Sequence, residues 1–352
     1  MNQLNTGEIA CPITSTGRAE VVALAHGEGG LLSRRLIQER IVPALGGLVL
    51  DSNADAALLP GSACRLAMTT DSFVVTPLFF PGGDIGSLAV YGTANDLAVA
   101  GARPRWLSLS FILEEGFELA TFDRVLASIA AAARIAQVSI VTGDTKVVPR
   151  GAADGVFINT TGIGELLDPA PPGPASLQVG DLLLVSGPIA QHGIAVLEAR
   201  EAFGFEPAPA SDCAPLWPSI EALDQAGIRP RAMRDATRGG VAALLHEWSA
   251  ASGRSLVIDE TAVPVLPEIR AACELLGLDP LHIANEGTLV AAIPGDQVER
   301  ALAALQQLPQ FARAAVIGRV EPAGAAPVAV RRALGRLQPL DEPLGAPLPR
   351  IC

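Results

Sequence analysis

The sequence predicts an α/β (α+β) protein with two mixed-sheet domains and an extended C-terminal tail. The chain has 352 residues, which is long for a single hydrophobic core, and 49% of them are hydrophobic. Segments with strand and helix patterns alternate in both halves of the chain. A proline-dense stretch at 168–176 separates the halves, and further prolines follow the last predicted strand.

The first half begins with a loose segment that ends in glycines. His26-Gly27-Glu28-Gly29-Gly30 precedes a predicted amphipathic helix over 31–40, so it is either a phosphate-binding segment or a flexible hinge. A strand is predicted over 65–75, and Asp84 is a good N-cap for the apolar helix 85–100. The remaining elements predicted here are a strand at 106–113, a helix at 121–136, and strands at 138–142 and 156–162.

The second half repeats the alternation. A strand at 181–185 precedes a helix at 190–203, and the sequence Asp235-Ala236-Thr237-Arg238-Gly239-Gly240 opens a helix that reaches Ala251. The other predicted elements are strands near 255–259, 287–293, 314–320 and 328–330, and helices at 267–276 and 295–307. We therefore expect a leader and Gly-rich segment at 1–42, domains at 43–167 and 168–333, and a mobile tail at 334–352.

Charge and cysteine usage exclude several functions. The net charge of −12 argues against nucleic-acid or membrane-surface binding, because both need clustered basic residues. The five cysteines contain no CxxC pair, so neither a zinc site nor a disulfide framework is predicted, and we expect a reducing, cytoplasmic compartment. No apolar stretch approaches the ~20 residues of a membrane span.

Lysine occurs once in the chain. Of the 25 basic residues only Lys146 is a lysine. Chance would explain a single lysine in an undistinguished place, whereas a lysine kept among arginines is a candidate for a task that needs a compact ammonium. Lys146 follows Gly143-Asp144-Thr145, which places it two residues after a candidate metal ligand.

Four aspartates of the first half lie in sequences rich in small and polar residues: Asp55, Asp71, Asp96 and Asp144. Hard carboxylate oxygens suit Mg²⁺, which binds through a few carboxylates together with substrate phosphates. Asp96 and its neighbour Asn95 lie inside an otherwise apolar helix, where an unpartnered carboxylate would be costly. A cation, a ligand or an internal hydrogen bond would each explain Asp96. The single lysine lies outside any Gly-x-x-x-x-Gly-Lys motif, so a P-loop is excluded.

The chain ends on Cys352. Prolines at 339, 343, 347 and 349 favour an extended arm, which from Leu337 would span on the order of 40 Å. We therefore interpret Cys352 as a carrier nucleophile that swings into a nucleotide site elsewhere in the chain. A frayed terminus with an accidental thiol is the alternative, and prenylation is excluded because no residue follows the cysteine.

Two motifs of the second half are candidate site segments. The Asp235–Gly240 segment opens a helix, where an anion is favoured. Asn285-Glu286-Gly287 precedes a strand and is either a polar turn without a functional role or the source of a proton-transfer group. A thiol carrier would need such a group close to its cargo.

Seven motifs together resemble the carbamoyl dehydratases of NiFe-hydrogenase maturation. These enzymes belong to the family that also contains aminoimidazole ribonucleotide synthetase and selenophosphate synthetase. The resemblance runs from about His26 to Cys352 and implies two mixed-sheet domains of the aminoimidazole ribonucleotide synthetase type. Cys11 lacks the glycine-rich, lysine-bearing context of the reactive residue in selenophosphate synthetases. The motifs are Thr-Thr-Asp-Ser (69–72), Phe-Phe-Pro-Gly-Gly-Asp (79–84), Gly-Thr-Ala-Asn-Asp (92–96), Gly-Asp-Thr-Lys-Val-Val (143–148), Asp-Ala-Thr-Arg-Gly-Gly (235–240), Asn-Glu-Gly (285–287) and the terminal Pro-Arg-Ile-Cys.

The resemblance implies a reaction and its participants. Cys352 would receive a carbamoyl group from the carbamoyltransferase HypF, and ATP would phosphorylate the carbamoyl oxygen. Loss of phosphate, with removal of the nitrogen protons, would leave a thiocyanate on Cys352. A HypC–HypD complex would take the cyanide for the Fe(CN)2CO centre. The implied cofactors are ATP and Mg²⁺, and the implied assembly is a homodimer that pairs through the ATP-binding domain at 43–167.

The resemblance also implies roles for individual residues. Cys352, Lys146 and Glu286 would be catalytic, with Lys146 steadying the transferring phosphoryl group and Glu286 acting as general base. The implied magnesium ligands are Asp55, preferred to Asp51, together with Asp71, Asp96 and Asp144. The implied nucleotide-binding residues are Gly29, Gly30, Asp71, Asn95, Asp96, Gly143, Asp144, Thr145, Asp235, Thr237 and Arg238.

Two other interpretations remain open at this point. An ATP-dependent small-molecule synthetase or kinase of the same fold would tolerate deletion of Cys352. A non-catalytic thiol carrier or scaffold would show no ATP hydrolysis even when its thiol is charged.

Overall fold

The computed structural model describes residues 30–36, 38, 39, 57–59, 65–345, 348 and 350–352. Within this part of the chain no helix is both long enough and apolar enough to span a membrane. Cys11, Gly29, Asp51 and Asp55 lie outside the described residues, so the structure does not bear on their predicted roles.

The first domain is a five-stranded mixed sheet with two long helices on one face. Its strand order is β1-β2-β7-β5-β6, and only the β5–β6 pair is parallel. This order agrees with the predicted mixed α/β architecture. The elements in chain order are α1 (Gly30–Leu36), β1 (Ala57–Leu59), β2 (Leu66–Phe73), β3 (Phe79–Phe80), β4 (Gly83–Asp84), α2 (Ile85–Val99), β5 (Ala102–Glu114), α3 (Leu119–Ala136), β6 (Ser139–Val148) and β7 (Val156–Leu166).

The second domain is a seven-stranded mixed sheet. Its strand order is β14-β13-β10-β12-β8-β11-β9, and β10–β13 is its parallel pair. The elements in chain order are β8 (Leu182–Val185), α4 (Gln191–Glu201), α5 (Trp217–Gln225), β9 (Ala232–Asp235), α6 (Gly240–Ser252), β10 (Ser255–Asp259), α7 (Pro267–Leu276), β11 (Leu289–Ile293), α8 (Val298–Gln306), β12 (Ala315–Glu321), β13 (Val328–Arg331) and β14 (Leu337–Pro339).

Helix α2 lies at the centre of the molecule and begins where the sequence predicts. The Asp84 side chain accepts hydrogen bonds from the backbone N–H groups of Gly86 and Ser87, at 2.7 and 3.0 Å, so the predicted N-cap is confirmed. The helix packs on the first sheet, and the residues near its end, Ala98 and Val99, pack in a core of the second domain. Because α2 is enclosed on several sides, its sequence is apolar nearly all round.

Strand β6 is longer than the sequence predicts. The predicted strand ends at Thr142, whereas the observed strand continues to Val148. The parallel pairing with β5 extends over this segment, and a Cβ at Gly143 would collide with the carbonyl oxygen of Leu109. Glycine is therefore required by a close contact between neighbouring strands, and Gly143–Lys146 belongs to the strand.

One face of the first sheet is left open by the described residues. Directly paired residues on neighbouring strands share a face, so Ser72, Asn159, Ser110 and Asp144 form one row across the sheet. The Asn159 amide donates to the Ser72 hydroxyl at 3.0 Å, as expected for side chains on one face. The exposed apolar side chains of this face are Met68, Trp106 and Ile112, which are 38%, 39% and 44% exposed.

The tail begins later than the sequence predicts. The expected arm starts at Leu337, but Leu337–Pro339 forms β14, which pairs with β13 at the edge of the second sheet. The Leu340 N–H then donates to the Val328 carbonyl at 3.0 Å. Val328 and Val330 are fully buried, so β13 is well anchored, and its free edge accepts the added strand.

Candidate active site between the domains

Two predicted carboxylates meet where β2 lies against α2. The Thr69 hydroxyl, on β2, donates to the Asp96 carboxylate at 2.8 Å. Burial raises the pKa of Asp71, and the positive charge of Arg238 and a hydrogen bond with Asp96 oppose this shift. Asp71 and Asp96 therefore lie close together, and the charge of Arg238, from the second domain, acts on Asp71.

Glu286 lies in the same region, on the side of the second domain. Its side chain is buried, and its pKa is raised well above the usual range, mainly by desolvation. The negative charges of Asp235, Asp212 and Asp71 also raise this pKa, while Arg238 lowers it. The structure thus brings together predicted residues from three motifs that are far apart in the sequence.

Asp212 organises this region and was not predicted from the sequence. Its carboxylate accepts from the N–H groups of Glu286 and Gly287, both at 3.0 Å, and from the Thr288 hydroxyl at 2.8 Å. These bonds fix the turn that carries Glu286. No local pattern signals this role, because the aspartate lies in an irregular loop and its partners lie about 75 positions further along the chain.

We expect Asp212→Asn to destabilise the protein by about 1–3 kcal/mol, because an amide nitrogen would replace one of the two oxygens that accept these hydrogen bonds. The free energy of urea unfolding measures this change. Asp224→Asn is the matched control, since Asp224 forms a surface ion pair with Arg229 that should contribute at most about 1 kcal/mol. Equal stability of the Asp212 and Asp224 variants would contradict the assigned role.

Asn95 joins the two domains. Its amide donates to the carbonyl oxygens of Ala214 and Glu286, both at 3.0 Å, and its carbonyl oxygen accepts from the Leu216 N–H at 2.8 Å. Both N–H groups are therefore engaged with the backbone of the second domain. The resemblance implies nucleotide binding for Asn95, whereas its observed contacts are those of an interdomain link.

Asp144 and Lys146 lie apart from the Asp71–Asp96 pair. Asp144 lies on the open face of the first sheet, in the row that contains Ser72 and Asn159. Asp71 lies on the opposite face, which packs against helix α2. The two aspartates are on strands three positions apart in the sheet, which corresponds to ~14 Å. Asp144 therefore does not join Asp71 and Asp96 within one chain, and its role as a magnesium ligand stays a prediction. Among the described residues no group of three or more metal-binding side chains is assembled.

The Lys146 ammonium lies 3.1 Å from the Asp144 carboxylate, and both side chains are mostly exposed. A hydrogen bond from Lys146, followed by one from the Thr145 N–H at 2.9 Å, lowers the pKa of Asp144. This face therefore presents an ionised carboxylate and an ammonium on one edge strand.

The other predicted nucleotide-binding residues have varied surroundings. Gly30 packs against the tail, because the Leu31 N–H donates to the Pro343 carbonyl oxygen at 3.1 Å. The Thr237 carbonyl accepts from the Gly240 N–H at 2.9 Å and closes the turn before α6. Asp235, at the end of β9, is buried. Gly30 thus contacts the tail. Asp235 is close enough to Glu286 to raise its pKa, and Thr237 directly precedes Arg238 in the chain.

The last residues of the chain are docked beside this site. The Val74 N–H donates to the Cys352 carbonyl oxygen at 3.1 Å, and the Thr76 N–H donates to the Arg350 carbonyl oxygen at 3.2 Å. Val74 comes three residues after Asp71 on the same segment. The Ile351 side chain is only 2% exposed, so the end of the tail packs into the protein.

Comparisons with known proteins agree with this architecture. Residues 53–166 match the model of the AIR synthase related protein N-terminal domain, and residues 178–330 match that of the C-terminal domain. The chain therefore belongs to the AIR synthase related family, which confirms the predicted fold class.

The match to one branch of that family covers almost the whole chain. The carbamoyl dehydratase HypE of Escherichia coli (strain K12) is 48% identical over 338 residues, which are 94% of this chain and 99% of the relative. A structure described as a HypE–HypF complex has a TM-score of 0.82 at 42% identity, covering 88% of this chain and 99% of its counterpart. A structure of HypE in complex with ATP has a TM-score of 0.77 at 45% identity, covering 94% and 100%. The chain belongs to the HypE family of carbamoyl dehydratases.

Proposed function

We propose that this protein dehydrates a carbamoyl group carried on Cys352 to a thiocyanate, in an ATP-dependent reaction that supplies cyanide for the Fe(CN)2CO centre of NiFe-hydrogenases. The observation that carries the proposal is the docking of the thiol-bearing residue on Val74, next to the strand that presents Asp71. The buried Glu286 lies on the opposite side of the same region. Membership of the HypE family supports the reaction type.

The proposed chemistry replaces one carbon–oxygen double bond by a carbon–nitrogen triple bond. Transfer of the γ-phosphoryl group to the carbamoyl oxygen forms an O–P bond and releases ADP, and one N–H proton leaves. The C–O bond then breaks with phosphate as the leaving group, while the second N–H proton leaves and the triple bond forms. Phosphorylation is needed because an amide oxygen is a poor leaving group, and a site enclosed between domains limits attack by water.

The Asp71–Asp96 pair fits a magnesium ion. Two carboxylates held close together in a half-buried place repel one another, and a divalent cation would neutralise both. Mg²⁺ commonly binds through one or two carboxylates and completes its shell with water and substrate phosphates, so a pair is sufficient. When bound, the ion would neutralise phosphate charge. Arg238, Thr237 and Asp235 lie where they could contact the nucleotide.

The protein's own residues have three proposed roles. Glu286 is the proposed general base: its ionised carboxylate would take a proton from the carbamoyl nitrogen, and its raised pKa makes that carboxylate a stronger base than an exposed one. The Lys146 ammonium would stabilise charge on the transferring phosphoryl group. The docked tail replaces diffusion of a reactive intermediate with an intramolecular encounter.

The proposal includes two protein partners. A structure 42% identical to this chain is described as a HypE–HypF complex, so we propose HypF as the carbamoyl donor. A HypC–HypD complex is the proposed cyanide acceptor, because a thiocyanate on Cys352 needs a nucleophilic acceptor to complete the cycle.

The test is the intact mass of the protein, measured after carbamoylation by HypF and again after adding Mg²⁺ and ATP. We expect the adduct on Cys352 to lose one water. An adduct that ATP leaves unchanged would favour a non-catalytic carrier. Absence of any adduct, with HypF shown to be active, would favour a small-molecule synthetase or kinase and would overturn the proposal.

We further propose a homodimer that forms through the open sheet faces. Exposed apolar side chains surround a polar centre on this face, and a second copy would cover them. Lys146 and Asp144 would then face the partner chain, on the side of the sheet away from their own Asp71. Because β6 is an edge strand, a dimer could bring these two side chains past the edge of the partner's sheet and build one site from two chains.

We expect light scattering to give twice the chain mass for the wild type and the single chain mass for Ile112→Glu, because the substitution would bury a charge at the interface. Leu334→Glu is the control, since Leu334 is 98% exposed on a hairpin of the second domain. A monomeric wild type would contradict the dimer, and a dimeric Ile112→Glu would place the interface elsewhere.

A further inference from the structure

Helix α4 holds the tail through two of its side chains. The His192 Nε2 atom lies 2.6 Å from the carbonyl oxygen of Ile351, and the Arg200 Nη2 atom donates to the carbonyl oxygen of Arg350 at 2.9 Å. The two side chains are eight residues apart, just over two helical turns, and they bind consecutive carbonyls. Neither residue belongs to a motif that we singled out in the sequence.

The His192 ring is fixed on several sides. It is completely buried and packs edge-on against Phe80, with ring centroids 5.3 Å apart. Its Nδ1 atom lies 2.8 Å from the Ser211 hydroxyl oxygen. Because a carbonyl oxygen only accepts, Nε2 must carry the proton, and Nδ1 then accepts from the Ser211 hydroxyl. Burial lowers the pKa of His192 and favours this neutral form, although the Ile351 hydrogen bond and the charge of Asp212 oppose the shift.

Arg200 ties the tail to the segment that receives it. Its Nε and Nη2 atoms donate to the Thr76 carbonyl oxygen at 3.0 and 2.7 Å, and Nη2 also contacts the Arg350 carbonyl. The alternate N–H groups of Thr76 and Val74 donate to the carbonyls of Arg350 and Cys352, as in an antiparallel strand pair. The backbone of the tail is therefore bound to the 74–76 segment by two hydrogen bonds, without forming a regular strand.

The side chains of the tail are recognised as well. The Arg350 guanidinium donates from Nε to the Val74 carbonyl oxygen at 3.1 Å and from Nη1 to the Asp154 carboxylate at 2.7 Å. Ile351 is buried in the main hydrophobic core, and Cys352 packs partly against the same core. The position of the thiol is thus set by contacts on the two preceding residues.

We infer that His192 is a positioning residue for the thiol of Cys352, acting through its hydrogen bond to the Ile351 carbonyl. This inference rests on the proposed function and deepens it, because the hydrogen bond is made one residue before the reacting sulfur. Without the Nε2 donor, a buried carbonyl would lose its partner whenever the tail is docked. The ratio of docked to undocked tail would fall about tenfold.

The test uses iodoacetamide on the full-length protein without ATP or a carbamoyl donor. Alkylation of Cys352 is followed by mass analysis of the C-terminal peptide, so reaction at other cysteines does not interfere. In His192→Phe the aromatic ring remains and the donor is lost, and we expect Cys352 to react about tenfold faster than in the wild type. In His192→Gln the side-chain amide can place a donor near the Nε2 position, and we expect a rate within about twofold of the wild type.

Two outcomes would overturn the inference. Equal alkylation rates in His192→Phe and the wild type would show that the hydrogen bond does not hold the tail. Equally fast alkylation in both His192 variants would show that a restored donor does not hold the tail and that any change at this position loosens it. If His192→Phe fails to fold, His192→Leu replaces it, because leucine also lacks the donor. A faster rate in His192→Leu than in the wild type supports the inference, and an unchanged rate rejects it.

A second readout separates this inference from the proposed function. In a single turnover of carbamoylated protein with Mg²⁺ and ATP, we expect His192→Phe to lose water about tenfold more slowly than the wild type, with His192→Gln restoring the rate. If the wild type loses no water but its Cys352 is protected by His192, the proposed function fails and the tail contact stands. If the wild type turns over and His192→Phe matches it, the positioning role fails alone.

Discussion

Glu286→Gln is expected to slow dehydration of the carbamoyl group on Cys352 by about 100-fold or more, which is the usual cost of removing a general base. Glutamine has nearly the same shape as glutamic acid but cannot take a proton from the carbamoyl nitrogen. The turn that carries the side chain should remain in place, because Asp212 holds it through the backbone N–H groups of Glu286 and Gly287. Binding of the tail and of nucleotide should therefore survive.

The same substitution should increase stability at high pH. Folding raises the pKa of Glu286, so the folded protein keeps a proton that the unfolded chain loses above about pH 4.3. The contribution of Glu286 to the stability of the wild type is therefore largest below that pH and is lost as the pH rises towards the folded pKa. Glutamine does not titrate, so the free energy of unfolding of Glu286→Gln should exceed that of the wild type by a margin that grows by up to about 1.4 kcal/mol per pH unit.

Single-turnover mass analysis and urea unfolding between pH 5 and 8 measure these two effects. Glu299→Gln, on an exposed position of α8, is the matched control and should change neither quantity. Normal turnover in Glu286→Gln would exclude its role as base. A constant difference in stability across the pH range would show that Glu286 is ionised in the folded protein.

Lys146→Ala is expected to abolish dehydration and leave the fold intact. The Lys146–Asp144 pair is exposed, and exposed ion pairs contribute little to stability. Lys146→Arg should restore little activity, because a planar guanidinium cannot replace a compact ammonium at a phosphoryl group. Circular dichroism and single-turnover mass analysis test this, with Arg313→Ala on an exposed position as the control. Full activity of Lys146→Ala would exclude a catalytic role for Lys146.

A mixture of the two inactive variants tests whether each site uses two chains. In a mixed dimer of Lys146→Ala and Glu286→Gln, one site would have both wild-type residues and the other would have neither. Random exchange makes half of the dimers mixed, so about a quarter of wild-type activity should return. No recovery after demonstrated subunit exchange would mean that both residues act within one chain.

The sequence predicted the architecture well because local signals and tertiary structure agree over most of the chain. Asp84 lies at a helix start that its own side chain stabilises, and alternating strands and helices can be recognised without knowing their partners. Strand β6 was cut short because Gly143 and Asp144 are typical turn residues, whereas a close contact with Leu109 is what requires the glycine. β14 was missed because three residues with a proline carry little strand signal.

The candidate site was predicted only in part. Asp71, Asp96, Glu286 and Arg238 were selected from motifs, and the structure brings them together, while their catalytic and binding roles stay predictions. Asp212 and His192 were not predicted from the sequence, because their hydrogen-bond partners are 74 and 159 positions away in the chain. Such contacts have no local pattern and become visible only when the two domains and the tail are in place.

The contacts of residues 340–345 shorten the distance over which the thiol can be delivered. The carbonyls of Leu340 and Asp341 contact His246 and His282, and the Pro343 carbonyl accepts from Leu31. If these contacts persist when the thiol is presented to another protein, only the seven residues after Gly345 separate Cys352 from its anchor. A fully extended chain of that length spans at most ~25 Å. A protein that loads or unloads the thiol must then bring its own reactive centre within that radius, which requires a protruding or shallow active site and excludes a deeply recessed one.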